Sequence, residues 1–397
     1  MADNKDKKVL NVPALRFPEF TEEWREYAIG NVLSIGNGRD YKHLHNGDIP
    51  VFGTGGYMTS VDDFLYDGES VFIGRKGTIN KPLYYNGKFW TVDTLFYTHS
   101  FVNVLPKFAY CLFQTINWLK YNEASGVPSL SKATIEKIKV RVPSMDEQGK
   151  LSNQLFLLDK RIEVQNKIIE KYESLIQAMC DTLIGKKTQQ VMLSFNDFGE
   201  SYSGLSGKSA EDFGEGSPYI TYMNVYQNQI IDITDIGLVK INKTEQQSLV
   251  QYGDILFTLS SETPEEVGMG AVYLGETYPL YLNSFCFGIH ITDESKIFPP
   301  FLAYYVSSES FRKAVFPLAQ GSTRFNLQKG DFLKKVFPFP AIEQQRKIYS
   351  ILKTYSDKLN IEKQMIKLLC CQKQYLLRQL FISLIPQHYY KIFFLST

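Results

Sequence analysis

Four short stretches hold the residues that could do chemistry. "GLSGKS" at 204–209 offers glycines and a lysine to a phosphate, but a phosphate-cradling loop needs a glycine five residues before its second one, and Tyr202 stands there. "FPPF" at 298–301 has the Pro-Pro-aromatic frame in which an Asn or Asp accepts a hydrogen bond from an amine awaiting methylation; Phe298 cannot accept one, so two prolines opening a helix is the better reading. "HLH" at 43–45, with Asp40 and Asp48 close by, could offer imidazoles to a metal. No second cluster completes a tetrahedral or facial set, which favours a polar loop. "GRKGT" at 74–78 sets Arg75, Lys76 and Thr78 on a tight glycine turn, where a backbone can approach a phosphate closely. His99 and His290, at corresponding strand-like positions, read as half-buried structural residues. GxSxG, HExxH and a GxGxxG after a strand do not occur, so no enzyme active site is visible and the chemistry is that of binding.

The elements that position these residues follow an internal repeat. "VPSMDEQGKL" at 142–151 returns as "FPAIEQQRKI" at 339–348, so that Pro143, Asp146, Gln148 and Lys150 fall on Pro340, Glu343, Gln345 and Lys347. A proline followed closely by an acid suits a helix start. A heptad seam then begins at each place. It runs through Leu151, Leu155, Leu158, Ile162, Gln165, Ile169, Tyr172, Ile176, Met179 and Leu183, and again, in phase, through Ile348, Leu352, Tyr355, Leu359, Glu362, Ile366, Leu369, Lys373, Leu376 and Leu380. Polar Gln165 lands on polar Glu362. The spacing predicts two long helices that pair with each other, and their charges agree: residues 144–185 carry net −2 and residues 341–385 net +5.

The segments before each helix are rich in Gly, Tyr, Phe and Asn. They carry β-prone runs ("SVFIG", "LFYTHSF", "ILFTLS", "YLNSFCFGIHI") broken by turn signals such as "YNGK". Each ends in a helical stretch, "KFAYCLFQTINWLKY" or "PPFLAYYVSSESFRKAV", and then a Gly- and Ser-containing loop at 124–132 or 319–329, the two realigning at Leu130 and Leu327. The expected fold is α+β: two β-rich domains joined by two long helices pairing as an antiparallel coiled coil, with a pseudo-twofold from internal duplication. The expected boundaries are a lead-in at 1–20, domain 1 at 21–143, the central helix at 144–185, domain 2 at 186–340, the C-terminal helix at 341–385 and a tail at 386–397. Antiparallel pairing would put the domains at opposite ends. Duplex DNA has a dyad in its backbone, and readers of two half-sites share that symmetry.

Composition bounds the compartment. The 397 residues suffice for two or three domains; 44% are hydrophobic and 21% charged, and no run of 18 apolar residues could span a membrane. The start "MADNKDKKVL" lacks the apolar core of a secretory signal. Five cysteines without a CxxC pair favour reduced thiols and a cytoplasmic setting. A net charge of +1 gives no global sign of nucleic acid, so any such reading rests on local features.

"LRFPEFTEEW" at 15–24, "FIGRKGT" at 72–78, "GDILFTLSSETPEEVGMGAV" at 253–272 and the two repeated helix starts, in this order and spacing, resemble the specificity (S) subunit of type I restriction–modification enzymes up to about residue 385. The resemblance implies that each domain is a target recognition domain reading one half of a bipartite double-stranded DNA site. The helices would be a spacer that sets the gap and docks two methyltransferase subunits, which bring S-adenosylmethionine and methylate adenine N6. A separate motor-nuclease subunit would supply ATP- and Mg-dependent translocation and cleavage. This chain would itself be non-catalytic and hold no cofactor or metal. The tail "PQHYYKIFFLST" does not look like a feature of that family, and the dissimilar domains imply dissimilar half-sites.

Residue types then nominate DNA contacts. In domain 1 they are Arg39, Tyr41, Lys42 and His43, then Arg75, Lys76 and Thr78, then Ser129 and Lys132. In domain 2 they are Lys208, Tyr222, Asn224, Ser260, Ser261, Thr263, Ser322, Thr323, Arg324 and Asn326, with Arg75, Lys76, Ser261 and Arg324 foremost. For each, the plain alternative is a solvated turn residue. Two other classes of function compete: a non-DNA coiled-coil scaffold with protein-binding β-rich domains, and an enzyme acting on glycans through the many Tyr and Asp residues.

Overall fold

The computed structural model describes residues 11–185, 190–242, 244–276 and 278–381; the expected tail at 386–397 and positions 382–385 of the expected C-terminal helix lie outside them. Two compact units result, one formed by the chain up to Asn166 and from Gln364, the other by Lys167–Lys363. The two long helices are Met145–Ile184 and Ile342–Leu380. None of the twenty seam residues is exposed, which is what a 3.5-residue apolar repeat requires of one helix face.

The first unit is built on a six-stranded sheet in the order Ser34–Asn37, Leu95–His99, Tyr66–Gly74, Leu83–Thr91, Asn46–Gly53, Gly56–Val61. All neighbours are antiparallel except Asn46–Gly53 against Leu83–Thr91. A separate pair, Arg25–Ala28 with Lys139–Val142, ties the entry of the domain to its exit. Phe72, Phe89, Phe108, Phe113 and Trp118 are fully buried, and the long-helix residues Leu151 and Leu155 share a core with Leu376, Leu377 and Leu380. Asp159 and Lys373 close that contact at 2.5 Å. Within this unit, therefore, the beginning of one long helix meets the end of the other.

The motif "LRFPEFTEEW" acts here as a strap. Arg16 grips the buried Glu147 carboxylate with Nε and Nη2 at 2.8 and 2.7 Å, and Trp24 Nε1 donates to the same carboxylate at 3.3 Å. The hydrogen bond to Glu147 holds the Arg16 pKa above its usual value. The Leu15 N–H reaches the carbonyl of Gln379, so the lead-in touches both long helices.

The second unit has a four-stranded antiparallel sheet, Gly199–Ser203, Cys286–Ile291, Ile255–Thr258, Gly270–Val272. A separate three-stranded sheet, Ile236–Val239, Phe213–Ile220, Tyr281–Leu282, shares a buried cluster with it through Ile220, Leu282, Leu256 and Cys286. The entry-to-exit pair recurs as Gln190–Leu193 with Phe337–Pro340. Its core is aromatic: Phe195, Phe257, Phe287, Phe311, Phe332, Phe337 and Phe339 form one contiguous network with Cys180, Ile184, Ile348 and Leu352 of the long helices. Glu173 and Lys363 join the same two helices at 2.6 Å.

The repeated glutamine explains the repeated phrase. Gln148 is fully buried; its Oε1 accepts the Leu105 N–H at 2.8 Å, while Nε2 donates to the carbonyls of Asn103 and Pro143, both at 3.0 Å. Gln345 repeats these three bonds: it accepts the Phe298 N–H at 2.9 Å and donates to the carbonyls of Lys296 at 3.0 Å and Pro340 at 2.8 Å. Leu105 and Phe298 each cap a short helix that opens with proline, Pro106–Phe113 and Pro299–Tyr305. The amide of a residue that caps a helix N-terminus has no acceptor within that helix, and here it is satisfied from the long helix instead. That is also the outcome for "FPPF": its prolines open a helix.

Three local expectations change. "YNGK" is not a turn but lies inside the strand Leu83–Thr91, where Gly87 faces Gly68 and both have positive φ, 128° and 140°. A glycine pair bends a ladder without ending it. "KFAYCLFQTINWLKY" breaks after Phe113 and resumes only as a 3₁₀ turn at Trp118–Tyr121. "PPFLAYYVSSESFRKAV" is two helices, Pro299–Tyr305 and Glu309–Val315, because the Ser308 hydroxyl caps the second.

Candidate nucleic-acid interface

In the first unit the strand Tyr66–Gly74 runs into the glycine turn at 75–78, and that turn is locked to the loop at 124–130. The Gly77 N–H donates to the Pro128 carbonyl at 2.8 Å, the Leu130 N–H to the Arg75 carbonyl at 2.9 Å, and Lys76 bridges to Ser129. Asn122 holds the loop shape by accepting the N–H groups of Ala124 and Ser129. Arg75, Lys76, Thr78 and Lys132 are exposed and Ser129 is half-buried. The Arg75 guanidinium lies 5.8 Å from the centre of the Phe96 ring, and Lys132 is 3.7 Å from Glu136. Residues from two segments fifty positions apart thus share one polar, basic ledge.

Arg39, Tyr41 and Lys42 stand on another loop. Its carbonyl at Arg39 accepts Trp90 Nε1 at 2.9 Å; Arg39 and Lys42 are exposed, whereas Tyr41 packs on the apolar cluster of Val51, Val61 and Trp90. His43 meets the Trp90 ring edge-on, and His45 Nδ1 is 3.2 Å from Asp62. Among the described residues no group of three or more His, Cys, Asp or Glu side chains could hold a metal.

The second unit repeats the ledge in backbone terms. The Leu327 N–H donates to the Leu259 carbonyl at 2.8 Å, and Ser260 and Ser261 pair with Asn326 and Phe325. Leu259–Leu327 and Ser260–Asn326 therefore occupy the places of Arg75–Leu130 and Lys76–Ser129. The side chains differ: Ser260 and Ser261 are buried, and the Ser261 hydroxyl donates to the Thr263 carbonyl. Thr263, Ser322, Thr323, Arg324 and Asn326 are exposed. Gly321 turns the loop at φ 141°, where a Cβ would sit 2.0 Å from the Arg324 carbonyl.

Two nominated residues are placed elsewhere. Asn224 is fully buried and spent on its own loop, donating to the carbonyls of Asp232 and Asp235 and accepting the Asp232 N–H. A polar side chain with no surface contacts nothing outside the fold. Lys208 is buried against Glu245 at 2.5 Å, so "GLSGKS" closes a loop within the domain.

Beside the ledge of the second unit opens a pocket of about 300 Å³, lined by Tyr222, Met223, Tyr226, Ser260, Ser261, Glu262, Glu266, Phe285 and Arg324. The short helix Tyr222–Gln227, capped by Thr221, sets Tyr222 and Tyr226 four residues apart with rings stacked at 5.9 Å. Tyr222 donates to the Ser260 carbonyl and Tyr226 to Glu266 Oε1, each at 2.6 Å. The bond to Glu266 pushes the Tyr226 hydroxyl up to about 12, and the same bond, with help from Thr263, holds the Glu266 carboxyl below its usual value. Sequence reasoning nominated Tyr222, Ser260, Ser261 and Arg324 here but missed Met223, Tyr226, Glu262, Glu266 and Phe285. The i, i+4 tyrosines were the available signal.

The family described as Type I restriction modification DNA specificity domain matches residues 21–174 and again 192–369. The type I restriction enzyme MjaVIII specificity subunit of Methanocaldococcus jannaschii is 24% identical over 382 residues, which cover 88% of this chain and 84% of that protein. A putative type I restriction enzyme specificity subunit of Haemophilus influenzae is 20% identical, covering 79% of this chain and 82% of its own length. Among solved structures, the S subunit of the type I restriction–modification system of M. genitalium superposes with a TM-score of 0.61 at 17% identity, over 94% of this chain and all of that one. No helix among the described residues is long and apolar enough to cross a membrane. With the same domain matched twice along most of its length, the chain belongs to the specificity subunits of type I restriction–modification systems.

Proposed function

We propose that this chain is the non-catalytic, sequence-reading subunit of a type I restriction–modification complex, each recognition domain reading one half of a bipartite DNA site. The recurrence of one locked loop pair in both units carries this reading: Arg75–Leu130 with Lys76–Ser129, and Leu259–Leu327 with Ser260–Asn326. A duplicated ledge of backbone and polar side chains is what two half-sites require. The finer architecture is an antiparallel coiled coil with a pseudo-twofold. Support for it comes from the matched glutamine staples and from helix contacts within each unit that join the beginning of one long helix to the end of the other. The coiled coil sets the gap between half-sites, and its outer faces dock two methyltransferase subunits. S-adenosylmethionine, ATP and Mg belong to the partners, and adenine N6 is the atom modified.

Arg75, Lys76, Thr78 and Lys132 of the first domain, and Thr263, Thr323, Arg324 and Asn326 of the second, are the exposed groups proposed to meet phosphates and base edges. The test is to express the chain with a type I methyltransferase subunit from the same genome in a host lacking that activity and to map N6-methyladenine genome-wide. A single split motif with a fixed gap is expected. No new methylation, from a partner that is soluble and binds S-adenosylmethionine, refutes the reading.

A further inference from the structure

We propose that the pocket of the second domain reads one G·C base pair in the major groove, with Arg324 on the guanine and Glu262 on the cytosine. This rests on the DNA-reading role proposed above and names the chemistry of its second half-site. The short ladder sets Ser261 opposite Phe325, and the residues that flank it, Glu262 and Arg324, both line the pocket. Both are exposed. Among the described residues neither side chain makes a hydrogen bond or an ion pair; Glu262 lies near enough to Tyr226, and Arg324 to Tyr222, for its charge to be felt there.

Two opposite charges in one pocket, neither hydrogen-bonded nor ion-paired, match one target well. In the major groove a G·C pair presents the N7 and O6 acceptors of guanine beside the N4 amino donor of cytosine. A guanidinium takes the first two bidentately and a carboxylate accepts from the third. A phosphate would satisfy the arginine and repel the glutamate, so backbone contact explains only half of the pair. The walls fit a reading head. Tyr226 is fixed by Glu266 and Tyr222 by the Ser260 carbonyl, which leaves the stacked rings rigid. Phe285 and Met223 are largely exposed apolar side chains at the rim. They can exclude water from the two charged contacts, which strengthens both.

The experiment uses the full chain with its methyltransferase partner and compares methylation motifs for wild type, Glu262→Ala and Arg324→Ala. Both residues are exposed and unpartnered, so neither truncation disturbs packing, and unchanged thermal midpoints verify this. The expected result is that both variants relax the same single position, a G·C pair, in one half of the motif, while the other half and the gap stay fixed. Methylation of sites carrying the wrong base there should rise about tenfold or more relative to wild type. A motif unchanged at undiminished methylation overturns the proposal and leaves the DNA-reading role standing. So does an even loss across all sites, the signature of phosphate contacts, and so does relaxation at two different positions. A wild-type protein that gives no split motif refutes the DNA-reading role itself, and this proposal with it.

Discussion

Replacing Gln148 by Leu should unfold the first unit early while leaving the second nearly untouched. Gln148 has no exposed surface and serves three backbone groups: the Leu105 N–H and the carbonyls of Asn103 and Pro143. The Asn103 residue is exposed, so its carbonyl can turn to water; the Pro143 carbonyl is buried and the Leu105 amide half-buried. Each of those two, left unsatisfied, costs about 1–3 kcal/mol, and leucine recovers little because the side-chain volume hardly changes. A net loss of about 3 kcal/mol follows. With a urea dependence of about 2 kcal/mol per molar, the midpoint should fall by about 1.5 M. The readout is specific, because all three tryptophans, Trp24, Trp90 and Trp118, lie in the first unit. Tryptophan fluorescence should therefore report the shift for Gln148→Leu, while Gln345→Leu should move the far-ultraviolet circular dichroism transition with little change in fluorescence. Gln148→Glu, nearly the same shape, should be at least as damaging, since a carboxylate cannot donate to two carbonyls. A fluorescence midpoint for Gln148→Leu within about 0.3 M of wild type, or a harmless Gln148→Glu, would refute the reasoning.

Other consequences can be checked alongside. Arg75→Ala and Lys76→Ala should each weaken DNA binding evenly across sequences and reduce the slope of log affinity against log salt by about one, measured by fluorescence anisotropy; an unchanged slope removes that residue from the interface. Arg16→Leu strands the buried Glu147 carboxylate and should cost about 3 kcal/mol, lowering the tryptophan-reported midpoint, whereas the double replacement Arg16→Leu with Glu147→Leu should recover part of the loss. Tyr226→Phe removes the hydrogen bond that depresses the Glu266 carboxyl. Its stability deficit should be full at neutral pH, narrow as pH falls below the ordinary carboxylate value of 4.5, and vanish below the folded-state value, because a depressed acid stabilises only where it is ionised; a deficit independent of pH would sink this account.

The long helices were legible because a heptad repeat is a local signal: Leu151, Leu155, Leu158 and their counterparts Ile348, Leu352, Tyr355 declare one face without reference to anything else in the chain. The duplicated Pro-acid-Gln phrase was equally plain, and the residue types of the glycine turn at 74–78 pointed to the ledge. The function of the repeated glutamine was not legible, since the amides it pins, at Leu105 and Phe298, are 43 and 47 residues away and nothing in their own sequence marks them as orphaned. Nor could the sequence sort Asn224 from Arg324. Both are polar residues in polar stretches, and only the fold buries one on its own loop and leaves the other free on a pocket rim. Glu262, Tyr226 and Phe285 come together from three separate segments of the fold, which residue spacing does not encode. Periodicity along the chain determined the helices and the duplication; the side chains that face a ligand were decided by tertiary packing, because burial and hydrogen-bond spending depend on contacts between residues far apart in sequence.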